Sequence, residues 1–167
     1  MYKFIIISYL SFYSFSIFAD QHIPTNKETF LQTLAEQFYM QSVDINLKEK
    51  NKSSHISGDK LHFVIRTYDE KDVTLTLFNL NNNGKLEFLF PVERRMTFSD
   101  SPWPATIRVI KPFGNEHLIA ILCENKPIAL NKLLSKSDDI PDPIKIISAL
   151  KGKDCQIGQY NFFTSAK

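Results

Sequence analysis

The sequence predicts a mostly β protein: an antiparallel, immunoglobulin-like β-sandwich with an N-terminal helix and short C-terminal helices. Three observations carry that expectation. Apolar and polar residues alternate with period two through several short segments between residues 43 and 110. Turn residues punctuate those segments, most clearly Asn81-Asn82-Asn83-Gly84. Helical spacing occurs only at the two flanks, before residue 42 and after Pro127.

The elements follow in order. Residues 26–41 form a helix: Thr25 or Asn26 caps it, Glu28 sits in the first turn, and Phe30, Leu31, Leu34, Ala35 and Phe38 make one apolar face. Val43, Ile45 and Leu47 then alternate with polar residues, as in a half-buried strand. Residues 48–57 are polar and read as an exposed loop closed by the Gly58-Asp59 turn. Leu61, Phe63 and Ile65 mark a second strand. Val73, Leu75 and Leu77 mark one face of a third, which the Asn-Gly turn joins to residues 85–90 as a β-hairpin. Pro91 stops that strand, because it donates no ladder hydrogen bond. After a long connection over 92–104, residues 105–110 form another strand with Ile107 and Val109 on one face. The run 117–123 is almost continuously apolar and suits a strand buried on both sides. The turn 111–115 pairs these two as a second hairpin. Residues 128–151 form a helical insertion of two short helices around a proline-broken acidic link, and 156–164 a final strand. No internal repeat and no linker divides residues 20–167, so they read as one domain.

The first nineteen residues predict export. Lys3 is followed by an uncharged apolar stretch over 4–18, Ala19 ends it, and Asp20 turns the chain polar, the layout of a cleavable signal peptide. The stretch holds several Ser and Tyr residues and is shorter than the roughly 20 apolar residues of a spanning helix. An uncleaved anchor is the alternative. No cysteine follows the run, so a lipid anchor is not expected. The mature chain of 148 residues would carry a net charge of +1, which speaks against a dedicated binder of nucleic acid or anionic membrane.

Export gives the two cysteines a meaning. In an oxidising compartment Cys123 and Cys155 read as one disulfide, with two buried thiols as the alternative. The bond would close a loop of about 33 residues and contribute on the order of 3–4 kcal/mol.

Residues 43–127 resemble the bacterial domain-of-unknown-function family numbered 4384. The matching features are the Gly58-Asp59 turn, the strand ending Leu77-Phe78-Asn79-Leu80, and the turn Asn82-Asn83-Gly84-Lys85 before Phe88-Leu89-Phe90-Pro91. A second group follows: Lys111-Pro112-Phe113-Gly114-Asn115-Glu116, the apolar strand, and Asn125-Lys126-Pro127. The resemblance implies a β-sandwich module of exported or envelope proteins, often attached to other domains. No catalytic residues are defined for that family, so none carry over. Two departures stand out: a single domain is read here, and Val92 takes the place where an asparagine is common.

The sequence carries no familiar catalytic or metal-binding pattern. There is no G-x-S-x-G elbow and no phosphate-binding glycine run. His22, His55, His62 and His117 are widely spaced, and a His55–His62 metal pair is weaker than the reading of ordinary strand or surface histidines. Asp138, Asp139 and Asp142 lack the calcium-loop pattern and read as a solvated linker. His117 and Cys123, six positions apart on one strand, would lie roughly 20 Å apart, too far for a base and its nucleophile. The connection over 92–104 is the best candidate interaction surface, because Arg94, Arg95, Phe98 and Trp103 are of the types found at binding hot spots. The favoured alternative has Trp103 plugging one end of the sandwich and both arginines solvated.

The expectation is therefore a noncatalytic, periplasmic or secreted binding or accessory module of the bacterial envelope. It would act through protein–protein contacts with another envelope protein, without cofactor, metal, nucleic acid or membrane span after signal cleavage. The rivals are an envelope hydrolase with an unrecognised site and a secreted factor engaging a host or competitor protein.

Overall fold

The computed structural model describes residues 26–37, 43–48, 54–67, 71–91, 101–136 and 139–167. The signal peptide expected over 1–19, residues 38–41 of the expected N-terminal helix, and Arg94, Arg95 and Phe98 lie outside the described residues. Within them the chain is mostly β, with two sheets and three helices. The order is α1 (Asn26–Gln37), β1 (Val43–Leu47), β2 (His55–Ile56), β3 (Lys60–Thr67), β4 (Thr74–Leu80), β5 (Leu86–Pro91), β6 (Trp103–Arg108), β7 (Asn115–Cys123), α2 (Ile128–Leu134), α3 (Pro143–Leu150) and β8 (Cys155–Ser165).

Three strands, in the order β1-β3-β6, make one sheet, and five, in the order β2-β8-β7-β4-β5, make the other. One core joins them. Val43, Ile45, Leu47, Leu61, Phe63, Ile65, Trp103 and Ala105 of the smaller sheet share it with Leu75, Leu77, Leu118, Ala120 and Leu122 of the larger. The opposite face of the larger sheet carries Phe78, Leu80, Ile119, Ile121 and Ile157, and the helices cover it with Phe30 and Leu34, Leu130 and Leu134, and Ile146 and Leu150. Each helix supplies an i, i+4 pair, the spacing that puts two side chains on one face. Ala35, expected on the apolar face of α1, is exposed.

Several expectations change at this level. β4 is buried along its whole length, not on one face only, because it runs between β7 and β5 with the smaller sheet on one side and helices on the other. Its two threonines keep their hydroxyls bonded: Thr74 Oγ1 donates to the Cys123 carbonyl at 3.1 Å, and Thr76 Oγ1 to Asn131 Oδ1 on α2 at 2.8 Å. The β4–β5 hairpin is present, with a register shift at Leu77/Phe78. The second hairpin is not. β6 pairs with β3, and β7 pairs with β4 and β8, so residues 109–114 cross from one sheet to the other. The reason is burial: Trp103 and Ala105 face inward from the smaller sheet, while β7 is apolar on both sides and takes a central place in the larger.

β6 begins at Trp103, two residues earlier than expected, and ends at Arg108, leaving Ile110 57% exposed. The expected polar loop over 48–57 contains β2, whose His55 is buried beside Phe162 and pairs parallel with the end of β8. That pair departs from an all-antiparallel arrangement. The acidic link ends in structure: Asp142 caps α3 by accepting the Ile144 N–H at 2.9 Å, with Pro143 in the first turn, where a missing N–H costs nothing.

Candidate functional site

Two regions gather polar side chains: the end of the molecule at the β4–β5 turn, and the outer face of the smaller sheet.

At the turn end, the two groups of sequence features fit into each other. Asn81 Oδ1 accepts the N–H groups of Asn83 and Lys85 at 3.0 and 2.9 Å, closing the turn through Gly84 at φ +72°. Asn82 Oδ1 accepts the Asn115 N–H at 3.1 Å from the crossing between sheets. Gly114, at φ +136°, lies so close that a Cβ there would stand 2.4 Å from Asn82. The glycine is therefore required twice, by its backbone conformation and by the approach of the asparagine. Lys27 of α1 reaches the same place, donating from Nζ to the Asn81 and Asn115 carbonyls at 3.0 and 2.7 Å.

Below these turns lies Glu116, 4% exposed, on the inner face of β7. Asn79 Nδ2 donates to its Oε2 at 2.7 Å, and Thr164 Oγ1 lies 3.5 Å from its Oε1. Burial is the main influence on this carboxyl and pushes its pKa above the ordinary 4.5; the Glu87 charge adds to the rise, while Asn79, Lys27 and Thr164 oppose it. Burial likewise lowers the Lys27 pKa, against the pull of Glu116. The adjoining cavity measures about 20 Å³, room for a single water. Asn79 Oδ1 has no protein partner among the described residues. This cluster links β4, β7 and β8 through Asn79, Glu116 and Thr164. His117, the next residue, faces the helices, so strand alternation separates it from Glu116. Burial first, and then Lys27, lower its pKa to about 4, against a hydrogen bond with Asn161 that favours the protonated ring. An open groove of about 580 Å³ outside the turn is lined by Asn26, Lys27, Asn82, Asn83, Gly84, Lys85, Asp139 and Ile140, with Lys85 paired to Asp139.

The outer face of the smaller sheet is different in kind. Asp44, Asn46 and Lys48 project from the β1 segment, Lys60, His62, Val64 and Arg66 from β3, and Pro104, Thr106 and Arg108 from β6. Lys60 stands directly opposite Arg108, Val64 opposite Pro104, and Asp44 opposite Arg66. Lys48, Lys60, His62, Arg66 and Arg108 are all exposed. Asp44 is the one acid on the three strands' outward positions and accepts from Asn46 Nδ2. A shallow groove of about 300 Å³ runs between Asn46, Lys48, Val64 and Arg66.

The candidate residues from the sequence distribute as follows. Trp103 is 2% exposed inside the core, its ring turned away from any surface. Arg94, Arg95 and Phe98 lie outside the described residues. Cys123 and Cys155 are direct partners across β7 and β8, their sulfurs at disulfide distance, 2.14 Å. His55 is buried beside Phe162 at the edge of the larger sheet whereas His62 lies on the outer face of the smaller, its Nδ1 3.1 Å from Thr106 Oγ1, so the two do not converge. Among the described residues, no helix is long and apolar enough to cross a membrane. The sequence reading missed the Asn79–Glu116 pair, although both belong to the features behind the family resemblance. A polar residue inside the apolar run Leu77-Phe78-Asn79-Leu80 was the available signal. No family model and no curated protein matches the chain.

Proposed function

We propose that the protein is a noncatalytic, exported binding module built as an immunoglobulin-like β-sandwich, which engages another protein of the cell envelope through the outer face of its three-stranded sheet. One observation carries this reading. The larger sheet hides its outer face under three helices, while the smaller sheet presents outward a row of exposed, mostly cationic side chains on a rigid scaffold. The paired cysteines support a periplasmic or secreted setting, where such bonds persist. The interlocked turns support the resemblance to the family numbered 4384, since they give its glycine and asparagine features one shared structural cause.

The test labels the face. Thr106→Cys carrying a bulky maleimide blocks the outer sheet, and Ile144→Cys with the same label blocks the helix side, where Ile144 is 66% exposed. Immobilised mature protein is then offered cross-linked envelope extract. The expected result is one stoichiometric protein recovered by the unlabelled and helix-labelled forms and lost from the Thr106-labelled form. Equal recovery by both labelled forms would overturn the reading.

A further inference from the structure

We infer that the open sheet face takes an extended acidic segment of a partner protein, with carboxylates over Lys60 and Arg108 and an apolar side chain over Val64 and Pro104. This inference rests on the proposal that the outer face is the binding platform, and it names the chemistry of the occupant.

The mature chain is nearly neutral, yet the outward positions of the smaller sheet carry several cations and one acid. At one end of the face Lys60 and Arg108 are exact cross-strand partners, and like charges placed so destabilise a sheet. Lys48 joins them: its N–H donates to the His62 carbonyl at 2.9 Å, which extends the β1–β3 register and puts Lys48 beside His62, one pair away from Lys60. Among the described residues no carboxylate is bonded to Lys48, Lys60 or Arg108, and Asp44, the face's acid, lies at the far end opposite Arg66. Three cations held close on a flat, solvated surface make a region of positive potential whose repulsion an anion relieves.

The second element is apolar. Val64 and Pro104 face each other in the next-but-one row, and Val64 also lines the shallow groove. From Lys60 to Val64 is four strand positions, about 13 Å. An extended peptide running along β3 spans that distance with its own residues in the same rise, and every second side chain faces the sheet, so acids two positions apart followed two positions later by an aliphatic residue meet both features. A sulfated or phosphorylated glycan offers the anion without the aliphatic group, and a near-neutral protein makes a poor ligand for a charged film. The protein segment is therefore the occupant the face fits.

Lys60→Glu separates this role from a structural one. It replaces a like-charge pair with an opposite-charge pair across β3 and β6, so the variant should melt higher by roughly 2 °C. The same change should weaken the peptide by about tenfold or more, as reversal of a contacting charge does. The probe is a capped synthetic peptide bearing Asp-x-Glu-x-Leu, titrated into the full mature protein and followed by backbone amide shifts. Expected are shifts confined to β3 and β6, weakening with added salt, and loss of binding in the more stable variant. The inference is overturned if the peptide leaves those amides unmoved, if Lys60→Glu binds it as well as the parent, or if heparin or phosphatidylglycerol vesicles bind through Lys60 while the peptide does not. In each of those cases the Thr106 label still decides separately whether the face is a platform at all.

Discussion

Gly158 of β8 lies directly against Val43 of β1 in the other sheet, and its replacement measures that approach. Its backbone is outside the left-handed region, so alanine brings no conformational penalty of its own. A Cβ there would lie 2.6 Å from the Val43 carbonyl oxygen, 2.8 Å from Val43 Cβ and 2.9 Å from Val43 Cγ1, where ordinary contact begins at 3.4 Å. β1 must therefore retreat by about 0.8 Å, and a gap of 0.5–1 Å forfeits roughly a quarter to a half of a dispersion contact. Val43, Ile45 and Leu47 are the inward side chains of β1, each contributing roughly 1.5–3 kcal/mol by burial. Losing that fraction across three residues gives about 1–4 kcal/mol, which overlaps the roughly 1–3 kcal/mol typical of overpacking. At the centre of the range Gly158→Ala should melt roughly 5–10 °C lower. Denaturant unfolding with an unchanged slope is the assay. Gly152→Ala is the control: at φ +72° with nothing within 4 Å of a new Cβ, it should lose only about 1–2 kcal/mol from backbone strain. Val43→Ala in the Gly158→Ala background should restore part of the loss, because Cγ1 goes but the carbonyl stays. A loss below about 0.5 kcal/mol in Gly158→Ala would mean that β1 does not lie against β8, and the packing of the sheets would have to be redrawn.

Reduction of the Cys123–Cys155 bond should lower stability by about 3.7 kcal/mol, the chain-entropy value for its loop; intact mass before and after reductant gives the bond itself, and free thiols in protein from an oxidising compartment would refute it. Trp103→Ala should destabilise by about 3–5 kcal/mol, since the ring sits in the shared core; an unchanged Tm with lost partner recovery would return Trp103 to the interaction surface. Glu116 and His117 should tilt the pH profile in opposite directions. The raised Glu116 pKa makes its contribution complete below about 4.5 and lost as pH rises through the raised value, so Glu116→Gln should flatten the neutral limb. The lowered His117 pKa makes its contribution complete above 6.5 and lost as pH falls towards about 4, so His117→Leu should flatten the acid limb; unchanged limbs in stability measured against pH would remove these assignments.

Local chemistry was read well from residues alone. Period-two alternation placed β1, β3 and β4, the Asn-Gly turn placed the β4–β5 hairpin, and helical spacing placed α2 and α3 within a residue or two. These signals are local because a turn needs particular φ angles and a half-buried strand needs a particular period. Pairing is not local. Neighbouring segments on either side of residues 109–114 looked like a hairpin, and only the competition for core positions sent β6 to one sheet and β7 to the other. His55 and Ile56 carry no strand signal of their own, and the free edge of β8 recruits them.

The candidate site divides along the same line. Residue chemistry was enough to mark Cys123 and Cys155 as a pair and to name the glycines and asparagines of the turns, since each depends on residue type. Residue chemistry was silent on Glu116 and Asn79, which meet only because β4 and β7 are antiparallel neighbours in a fixed register. It was silent too on the opposition of Lys60 and Arg108, which are forty-eight positions apart along the chain and exact partners across two strands. Strand register turns scattered charges into a surface, and register is set by the burial of Phe63, Ile65, Trp103 and Ala105 on the face beneath.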